Sequence, residues 1–235
     1  MKIISVNCMK GGVGRTTLTC HLAIALAKLK KKVMLIDLDP IANASYAFGI
    51  KSTKDTTGIV EKDGVMILPA KKANIPIRVE LADSIERKQI LNGSFCGIND
   101  YDYVLLDCPS YSSAQVKEAL KHADEVLIPI AFDAFTIHSL EQTFLSIEEA
   151  RQAGNSKLKV HGIIPIQIFE FDVPLAKGIL QEIKKTTNEH IYSTIRYCKD
   201  IPDSVRHSKS VFDYAPESTG ALDFMSFAKE FIQDN

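Results

Sequence analysis

The sequence contains no apolar run near the ~18 residues that a membrane-spanning helix requires. Its first seven residues read as a strand entering a polar loop, without the charged start and long apolar stretch of a secretory signal peptide. The five cysteines are scattered and form no C-x-x-C pair, so neither a disulfide framework nor a zinc site is indicated. These absences predict a cytoplasmic protein that is not anchored in a membrane.

An excess of charge of either sign is also lacking. Lys and Arg number 28 and Asp and Glu number 29, for a net charge of −1. Any nucleic-acid contact therefore needs a local basic patch. The six histidines join no Ser/His/Asp or Cys/His pattern that would indicate nucleophilic catalysis. A chain of 235 residues is expected to form one α/β domain over residues 1–235.

Short runs rich in Val, Ile and Leu alternate with helical patterns. The predicted strands are Ile3–Asn7, Val33–Asp37, Val65–Leu68, Tyr103–Asp107, Glu125–Ile130 and Val160–Ile166. The predicted helices are Thr16–Lys31, Ser112–Lys121, Thr136–Gln152, Val173–Thr186 and Ser218–Ile232. This alternation predicts a mostly parallel, twisted sheet with helices on both faces. The polar stretch Ala42–Lys62 is expected to contain a loop or a poorly ordered connection.

A glycine-rich motif follows the first predicted strand and opens the first predicted helix. Its residues are Lys10, Gly11, Gly12, Val13, Gly14, Arg15, Thr16 and Thr17. Glycines allow backbone amides to converge on phosphate oxygens, and the helix N-terminus adds unpaired amides and partial positive charge. Thr16 would place a hydroxyl on Mg²⁺. The motif therefore predicts a site for the phosphates of a nucleotide together with Mg²⁺.

Two positions depart from the common P-loop pattern. Met9 stands where the first glycine is usual, and Arg15 stands where the phosphate-binding lysine is usual. Arginine keeps the charge but is larger, planar and forked. Arg15 would either bind the β- and γ-phosphate oxygens with two nitrogens, or crowd the loop and slow turnover. Both alternatives remain open at the level of sequence.

Two further segments end predicted strands in aspartate. Asp37 and Asp39 lie in Leu35–Pro40, and Asp107 ends the apolar run that begins at Val104. Ligands of open parallel sheets bind at the carboxyl ends of the strands. A phosphate site needs carboxylates for Mg²⁺ and a group that holds the attacking water. These three aspartates are therefore candidates for both tasks.

The glycine motif resembles the deviant Walker A box of the ParA/MinD/Soj ATPases. In that family the lysine equivalent to Lys10 reaches across a homodimer to the partner's ATP. The resemblance also implies that Asp39 positions or activates the water, that Asp37 supports the Mg²⁺ and phosphate network, and that Asp107 holds Mg²⁺. Ile41 replaces the glutamine that is usual after the proline in this family.

The C-terminal part of the chain resembles the same family more loosely. Residues 192–221 resemble its closing pattern of a strand, a basic loop and a last helix, and basic residues there bind DNA non-specifically in ParA-like proteins. The matching candidates are Arg196, Lys199, Arg206 and Lys209. Asp200 and Asp203 are interleaved with them, so a solvated mixed-charge surface is the alternative. Gln167 follows a strand where the family places a segment that contacts the base.

The resemblance implies a ParA-like ATPase for plasmid or chromosome partition. It would form an ATP-dependent sandwich homodimer, bind non-specific DNA on the nucleoid and hydrolyse ATP slowly until a ParB-like protein stimulates it. One alternative is a MinD-like ATPase acting at the membrane surface. That alternative is disfavoured because residues 224–235 carry little positive charge and end in an acidic tip. Another is an ATP-binding scaffold with little hydrolysis, which Arg15 suggests.

Overall fold

The apolar runs of the sequence form the strands of one mixed sheet. The computed structural model describes residues 1–50, 58–70, 101–109, 113–169 and 173–234. The strands are β1 (Lys2–Val6), β2 (Val33–Asp37), β3 (Val60–Lys62), β4 (Val65–Leu68), β5 (Tyr103–Asp107), β6 (Glu125–Ile130), β7 (Lys159–Ile168) and β8 (Ile195–Arg196). β1, β2 and β5 are almost wholly buried, as expected for strands covered on both faces.

The strand order is β3-β4-β2-β5-β1-β6-β7-β8. All neighbouring pairs are parallel except β3 and β4, which form an antiparallel hairpin. The chain runs from β1 to one side of the sheet and, after β5, crosses β1 to reach β6 on the other side. Such a reversal of strand order opens a crevice at the carboxyl ends of the strands.

Helices cover both faces of the sheet. They are α1 (Arg15–Lys28), α2 (Asn43–Ala47), α3 (Ala114–His122), α4 (Thr136–Gln152), α5 (Val173–Thr186), α6 (Asp200–Arg206), α7 (Val211–Tyr214) and α8 (Thr219–Gln233). One hydrophobic cluster lies where α1 and α8 meet the sheet, and a second lies under α3 and α4. Phe224, Phe227 and Phe231 of α8 are fully buried in the first cluster. No helix in the described part of the chain has the length and apolar character to cross a membrane.

The predicted fold class is confirmed, and most predicted elements agree with the structure within a few residues. α1 ends at Lys28, three residues before the prediction, because the chain turns at Lys30 with a left-handed φ of 65°. α3 begins at Ala114, where the Ser113 hydroxyl accepts the amide N–H of Val116. Ser112, the first residue predicted for this helix, lies outside the described residues.

Two connections hold structure that the sequence analysis missed. The stretch Ala42–Lys62, in which a loop or a poorly ordered connection was expected, also holds α2 and β3, and residues 51–57 lie outside the described part. α2 forms because the Asp37 carboxylate accepts both the amide and the hydroxyl of Ser45. The expected basic loop between the predicted strand and the last helix contains α6 and α7. Both helices are too short for a hydrophobic period to identify them.

Candidate functional site

The segment between β1 and α1 forms a tight loop at the carboxyl edge of the sheet. Gly12 and Gly14 have φ values of 75° and 78°, in the left-handed region that side chains disfavour. A Cβ on Gly14 would also lie 3.2 Å from Gln167 Nε2. Gly14 caps α1, whose first-turn amides have no intrahelical partner. The loop therefore combines convergent amides with the positive end of a helix dipole, which suits it to bind an anion.

The predicted phosphate-binding residues fall into two groups. Lys10–Gly14 form the loop, and Arg15–Thr17 form the first turn of α1. The Val13 side chain is buried in the cluster under α3 and α4, which fixes the loop to the core. The glycines and the three helical residues are thus presented at one end of α1.

Asp107 is the last residue of β5 and lies beside the start of α1. Its Oδ2 accepts a hydrogen bond from Thr16 Oγ1 at 2.9 Å, and its Oδ1 accepts one from Thr19 Oγ1 at 3.2 Å. Both bonds join the end of an internal strand to the helix that follows the phosphate loop. The structure therefore brings together Thr16 and Asp107, two of the three residues predicted for Mg²⁺, the third being Asp37.

The electrostatics of Asp107 suit a cation. Burial and the nearby charge of Asp37 raise the pKa of Asp107 to about 7, against the smaller lowering effect of hydrogen bonds from Thr16 and Thr19. A divalent cation would favour the ionised form. The described residues contain no group of three or more His, Cys, Asp or Glu that could hold a metal. Thr16 and Asp107 supply oxygen ligands that fit Mg²⁺ if phosphates and water complete the coordination.

Asp37 and Asp39 lie at the carboxyl end of β2, next to β5. Asp37 is opposite Asp107 in the parallel register. Its Oδ2 accepts the amide and hydroxyl of Ser45 at 2.8 and 2.6 Å, and its Oδ1 accepts the amide of Asp39 at 3.1 Å. These bonds organise the turn into α2, and the role of Asp37 at a metal stays a prediction. Asp39 is 8% exposed and its Oδ1 accepts the amide of Ile41 at 2.9 Å.

Lys10 forms an ion pair with Asp133 of the same chain. Asp133 follows β6, and its Oδ1 accepts the amide of Phe135 at 2.8 Å just before α4. Burial raises the pKa of Asp133, but the bonds from Lys10 and Phe135 outweigh it, and the net pKa is lowered. Sequence reasoning overlooked Asp133. Its position just beyond the end of a parallel strand is the signal that could have identified it.

The guanidinium of Arg15 is directed at backbone carbonyls. Its Nη1 donates to the carbonyls of Cys8 and Lys10, both at 2.5 Å, and its Nε donates to the carbonyl of Cys108 at 3.2 Å. The residue is only 8% exposed. Two of its three nitrogens, Nε and Nη1, are therefore bonded to protein oxygens, which leaves no pair of nitrogens free to bind two phosphate oxygens in this structure.

A pocket of about 320 Å³ adjoins the first turn of α1. It is lined by Thr17, by Gln167, by Tyr197 and by parts of α6 and α8. Gln167 has a left-handed φ of 62° at an irregularity in the pairing of β7 with β8, which brings its side chain against Gly14. The pocket has the size and the largely apolar character of a small-molecule site. Its location next to Thr17 suits the base and sugar of a nucleotide whose phosphates lie in the loop.

The four predicted DNA-binding cations lie near one another in the chain but differ in their contacts. Arg196 donates to both oxygens of Asp223 at 2.9 and 2.6 Å, and this pairing raises its pKa. Arg206 pairs with Asp203 at 3.3 Å. Lys199 and Lys209 are exposed, and neither forms an ion pair with a described residue. All four are exposed, but the two arginines are partly neutralised, and the two lysines are the members of the group without an ion pair to a described residue.

These features define a P-loop protein in which the phosphate loop, a buried strand-end aspartate and a nucleoside-sized pocket share one edge of a parallel sheet. Residues 1–160 match the family model described as an AAA domain. The sporulation initiation inhibitor protein Soj of Bacillus subtilis is 28% identical over 97% of each chain. The chromosome-partitioning ATPase Soj of Thermus thermophilus is 29% identical, covering 97% of this chain and 94% of its own.

Among solved structures, the septum site-determining protein MinD of Pyrococcus horikoshii, complexed with Mg-ADP, is 24% identical with a TM-score of 0.76. The match covers 97% of this chain and 95% of that one. This similarity shows the fold. Because the family model matches most of the chain, the protein belongs to that AAA-domain family, and within it to the ParA/MinD/Soj ATPases. The resemblance inferred from the glycine motif is thereby confirmed.

Proposed function

We propose that this protein is a ParA-like partition ATPase that binds ATP and Mg²⁺. The observation that carries the proposal is the meeting of three features at one sheet edge. These are the glycine loop that caps α1, the Thr16–Asp107 hydrogen bond and the turn that holds Asp39. Relatives that cover nearly the whole chain include proteins named for chromosome partitioning, which supports the same function.

Each residue at the edge has a task that follows from its position. The loop amides and the first turn of α1 bind the phosphates, while Thr16 and Asp107 hold the cation. Mg²⁺, when bound with ATP, supplies neutralisation of the developing charge on the phosphate oxygens. Asp39 orients the attacking water or accepts its proton, and the amide of Ile41 fixes its carboxylate. Asp37 holds the turn that carries Asp39.

Dimerisation is the second part of the proposal. Lys10 would leave Asp133 and reach the nucleotide of the partner subunit in a sandwich homodimer. Ile41 and Phe135 are 73% and 68% exposed and flank Asp39 and Asp133 in the chain. Large apolar side chains exposed next to a site are suited to contact a second copy. A ParB-like protein would then stimulate hydrolysis and reset the cycle.

Binding of non-specific DNA is the third part, and Lys199 and Lys209 are its best candidates. The direct test measures binding to a random-sequence duplex with ATP, with ADP and without nucleotide, across a salt series. We expect binding with ATP alone, with an affinity that falls steeply with salt as counterions are released. If Mg-ATP binds but DNA binds under no condition, the nucleotide site stands and the partition function is lost.

A nucleotide-binding scaffold with little hydrolysis is a second candidate function. The bonds from Arg15 to three backbone carbonyls favour it, because they occupy Nε and Nη1 and leave only Nη2 to stabilise charge on the transferring phosphate. Under this hypothesis, Arg15→Lys raises kcat. An unchanged kcat in Arg15→Lys, together with loss of turnover in Lys10→Ala, removes its basis.

A membrane-surface function is disfavoured by the packing of α8. A helix that lies on a membrane presents an apolar face to the lipid. In this protein Phe224, Phe227 and Phe231 are instead 0% exposed in the core. Binding to anionic liposomes in the presence of ATP would reopen this alternative.

A further inference from the structure

The carbonyls that Arg15 contacts belong to three separate points of the nucleotide edge. Cys8 lies between β1 and the phosphate loop, Lys10 is the first residue of the loop, and Cys108 follows the last residue of β5. A single guanidinium thus ties the loop to itself and to the strand that carries Asp107. Arg15 is only 8% exposed, so water competes weakly for these hydrogen bonds.

These bonds also fix the direction of the loop's peptide groups. In a trans peptide the C=O and N–H point in opposite directions. The peptide between Cys8 and Met9 is held from both sides, because its carbonyl accepts from Arg15 and its N–H donates to Thr143 Oγ1 at 3.1 Å. The carbonyl of Lys10 is likewise turned to Arg15, which turns the amide of Gly11 away from it.

Counting donors separates arginine from the lysine that is usual here. A guanidinium has five N–H groups on three nitrogens, whereas an ammonium has three on one nitrogen. Arg15 uses Nε and Nη1 on carbonyls, and no acceptor in the described part of the chain bonds to Nη2. It can therefore hold the loop and still offer Nη2 to a phosphate oxygen. A lysine at this position could not reach all of these acceptors from one nitrogen.

We propose that Arg15 is a positioning residue that holds the phosphate loop in its binding conformation before nucleotide arrives. The proposal rests on the proposed nucleotide function. It assigns to Arg15 a role in preparing the loop beyond that of a phosphate ligand. A loop ordered in advance spares the nucleotide the cost of ordering it, which tightens binding.

Arg15→Lys tests the proposal because it keeps the positive charge but replaces the three guanidinium nitrogens with a single ammonium nitrogen. Two quantities are measured: the thermal midpoint without nucleotide, and the Kd for N-methylanthraniloyl-ADP with Mg²⁺. We expect the midpoint to fall by about 5 °C, as several buried hydrogen bonds are lost. We expect the Kd to rise by about tenfold, since the loop is no longer held.

Arg151→Lys is the matched control. Arg151 Nε also donates to a backbone carbonyl, that of Leu158 at 2.9 Å, but on α4 away from the loop. We expect this variant to lower the midpoint by at most about 2 °C and to leave the Kd unchanged. The difference between the two variants isolates the effect of the loop contacts.

The other outcomes overturn the proposal in distinct ways. If Arg15→Lys raises the Kd for the nucleotide but lowers the thermal midpoint no more than Arg151→Lys does, Arg15 acts only as a phosphate ligand. A lowered midpoint with an unchanged Kd makes it a structural tie only, and a tighter Kd shows that its carbonyl bonds compete with nucleotide. If wild-type protein binds no Mg-nucleotide, the proposed function fails, while the midpoint still reports on the loop.

Hydrogen exchange of the wild-type protein provides a test that does not depend on the variant folding. Without nucleotide, we expect the peptide covering residues 8–14 to exchange much more slowly than an unstructured chain. Exchange at the unstructured rate that slows only when Mg-ADP is added would show that nucleotide, and not Arg15, orders the loop.

Discussion

The carboxyl ends of β2 and β5 hold their acidic groups with backbone and hydroxyl donors, whereas the C-terminal part after β7 pairs its two arginines with carboxylates. Asp37 and Asp107 are fully buried and bonded by Ser45, Thr16 and Thr19. Arg196, by contrast, is exposed and bonded by Asp223. Buried carboxylates without a bound cation are costly, while an exposed ion pair is nearly neutral in energy. The buried aspartates of the first region are therefore arranged for a cation. In the C-terminal part, only the lysines without an ion pair to a described residue are available to an anionic ligand.

The largest expected effect tests whether α8, in the C-terminal part, packs in the same hydrophobic cluster as α1, the helix that follows the phosphate loop. Phe224 is fully buried and stacks on His21 of α1 with ring centroids 4.7 Å apart. We expect Phe224→Ala to lower the free energy of unfolding by about 3–5 kcal/mol, because it leaves a cavity. Urea denaturation followed by circular dichroism measures this.

Leu222→Ala on the same helix is the control, since Leu222 is 57% exposed. We expect its effect to stay within about 0.5 kcal/mol. Equal losses in the two variants would contradict the burial of this face of α8. They would also remove the argument against a membrane-surface function.

Within the nucleotide edge, Asp39 is the residue whose loss should separate binding from chemistry. We expect Asp39→Ala to lower kcat by roughly 10²- to 10³-fold, because a general base or water-positioning group is removed. An ATP-bound dimer should accumulate, measured by light scattering with ATP and Mg²⁺. Asp39→Asn keeps an acceptor for the amide of Ile41, so a matching loss of kcat there assigns the effect to the charge. A variant that stays monomeric with ATP contradicts the assignment.

His21 joins the two regions and should make their contact sensitive to acid. Burial lowers the pKa of His21 to about 4, against the smaller raising effect of the hydrogen bond that its ring donates to the backbone carbonyl of Thr17. As the pH falls below about 6.5, His21 therefore binds a proton in the unfolded chain but stays neutral in the folded protein. The stability contribution is complete above pH 6.5, and about 3 kcal/mol of it is lost as pH falls towards 4.

His21→Leu should flatten the unfolding free energy between pH 6.5 and 4, measured by urea denaturation at each pH. His138→Leu is a suitable control, because His138 has 71% of its side chain exposed. If the wild type and His21→Leu lose stability in parallel over this interval, another group is responsible.

The smallest expected effects compare accessible and paired cations in the C-terminal part. We expect Lys199→Ala and Lys209→Ala each to weaken ATP-dependent DNA binding by roughly 3- to 10-fold, and to lower the slope of log K against log salt by about 1. Arg196→Ala should leave this slope nearly unchanged, since Asp223 already neutralises its charge. A larger change for Arg196 than for either lysine would show that DNA displaces Asp223.

The fold class, the glycine loop before α1 and the three strand-end aspartates could be predicted from the sequence alone. These depend on short-range chemistry. Buried parallel strands need continuous apolar runs, and a left-handed turn into a helix needs glycine, as at Gly12 and Gly14. The carboxyl ends of parallel strands meet at one edge of the sheet, so the sequence alone predicts that Asp37, Asp39 and Asp107 lie there.

Which charged groups pair, and where the short helices form, depends on the tertiary structure. Arg196 and Asp223 are 27 residues apart, Lys10 and Asp133 are 123 apart, and Arg15 reaches Cys108 over 93. α2 similarly depends on Asp37, eight residues before Ser45. No local pattern encodes such contacts, because hydrogen-bond partners are set by how the elements pack. The role of Arg15 is therefore visible only once β1, α1 and β5 lie side by side.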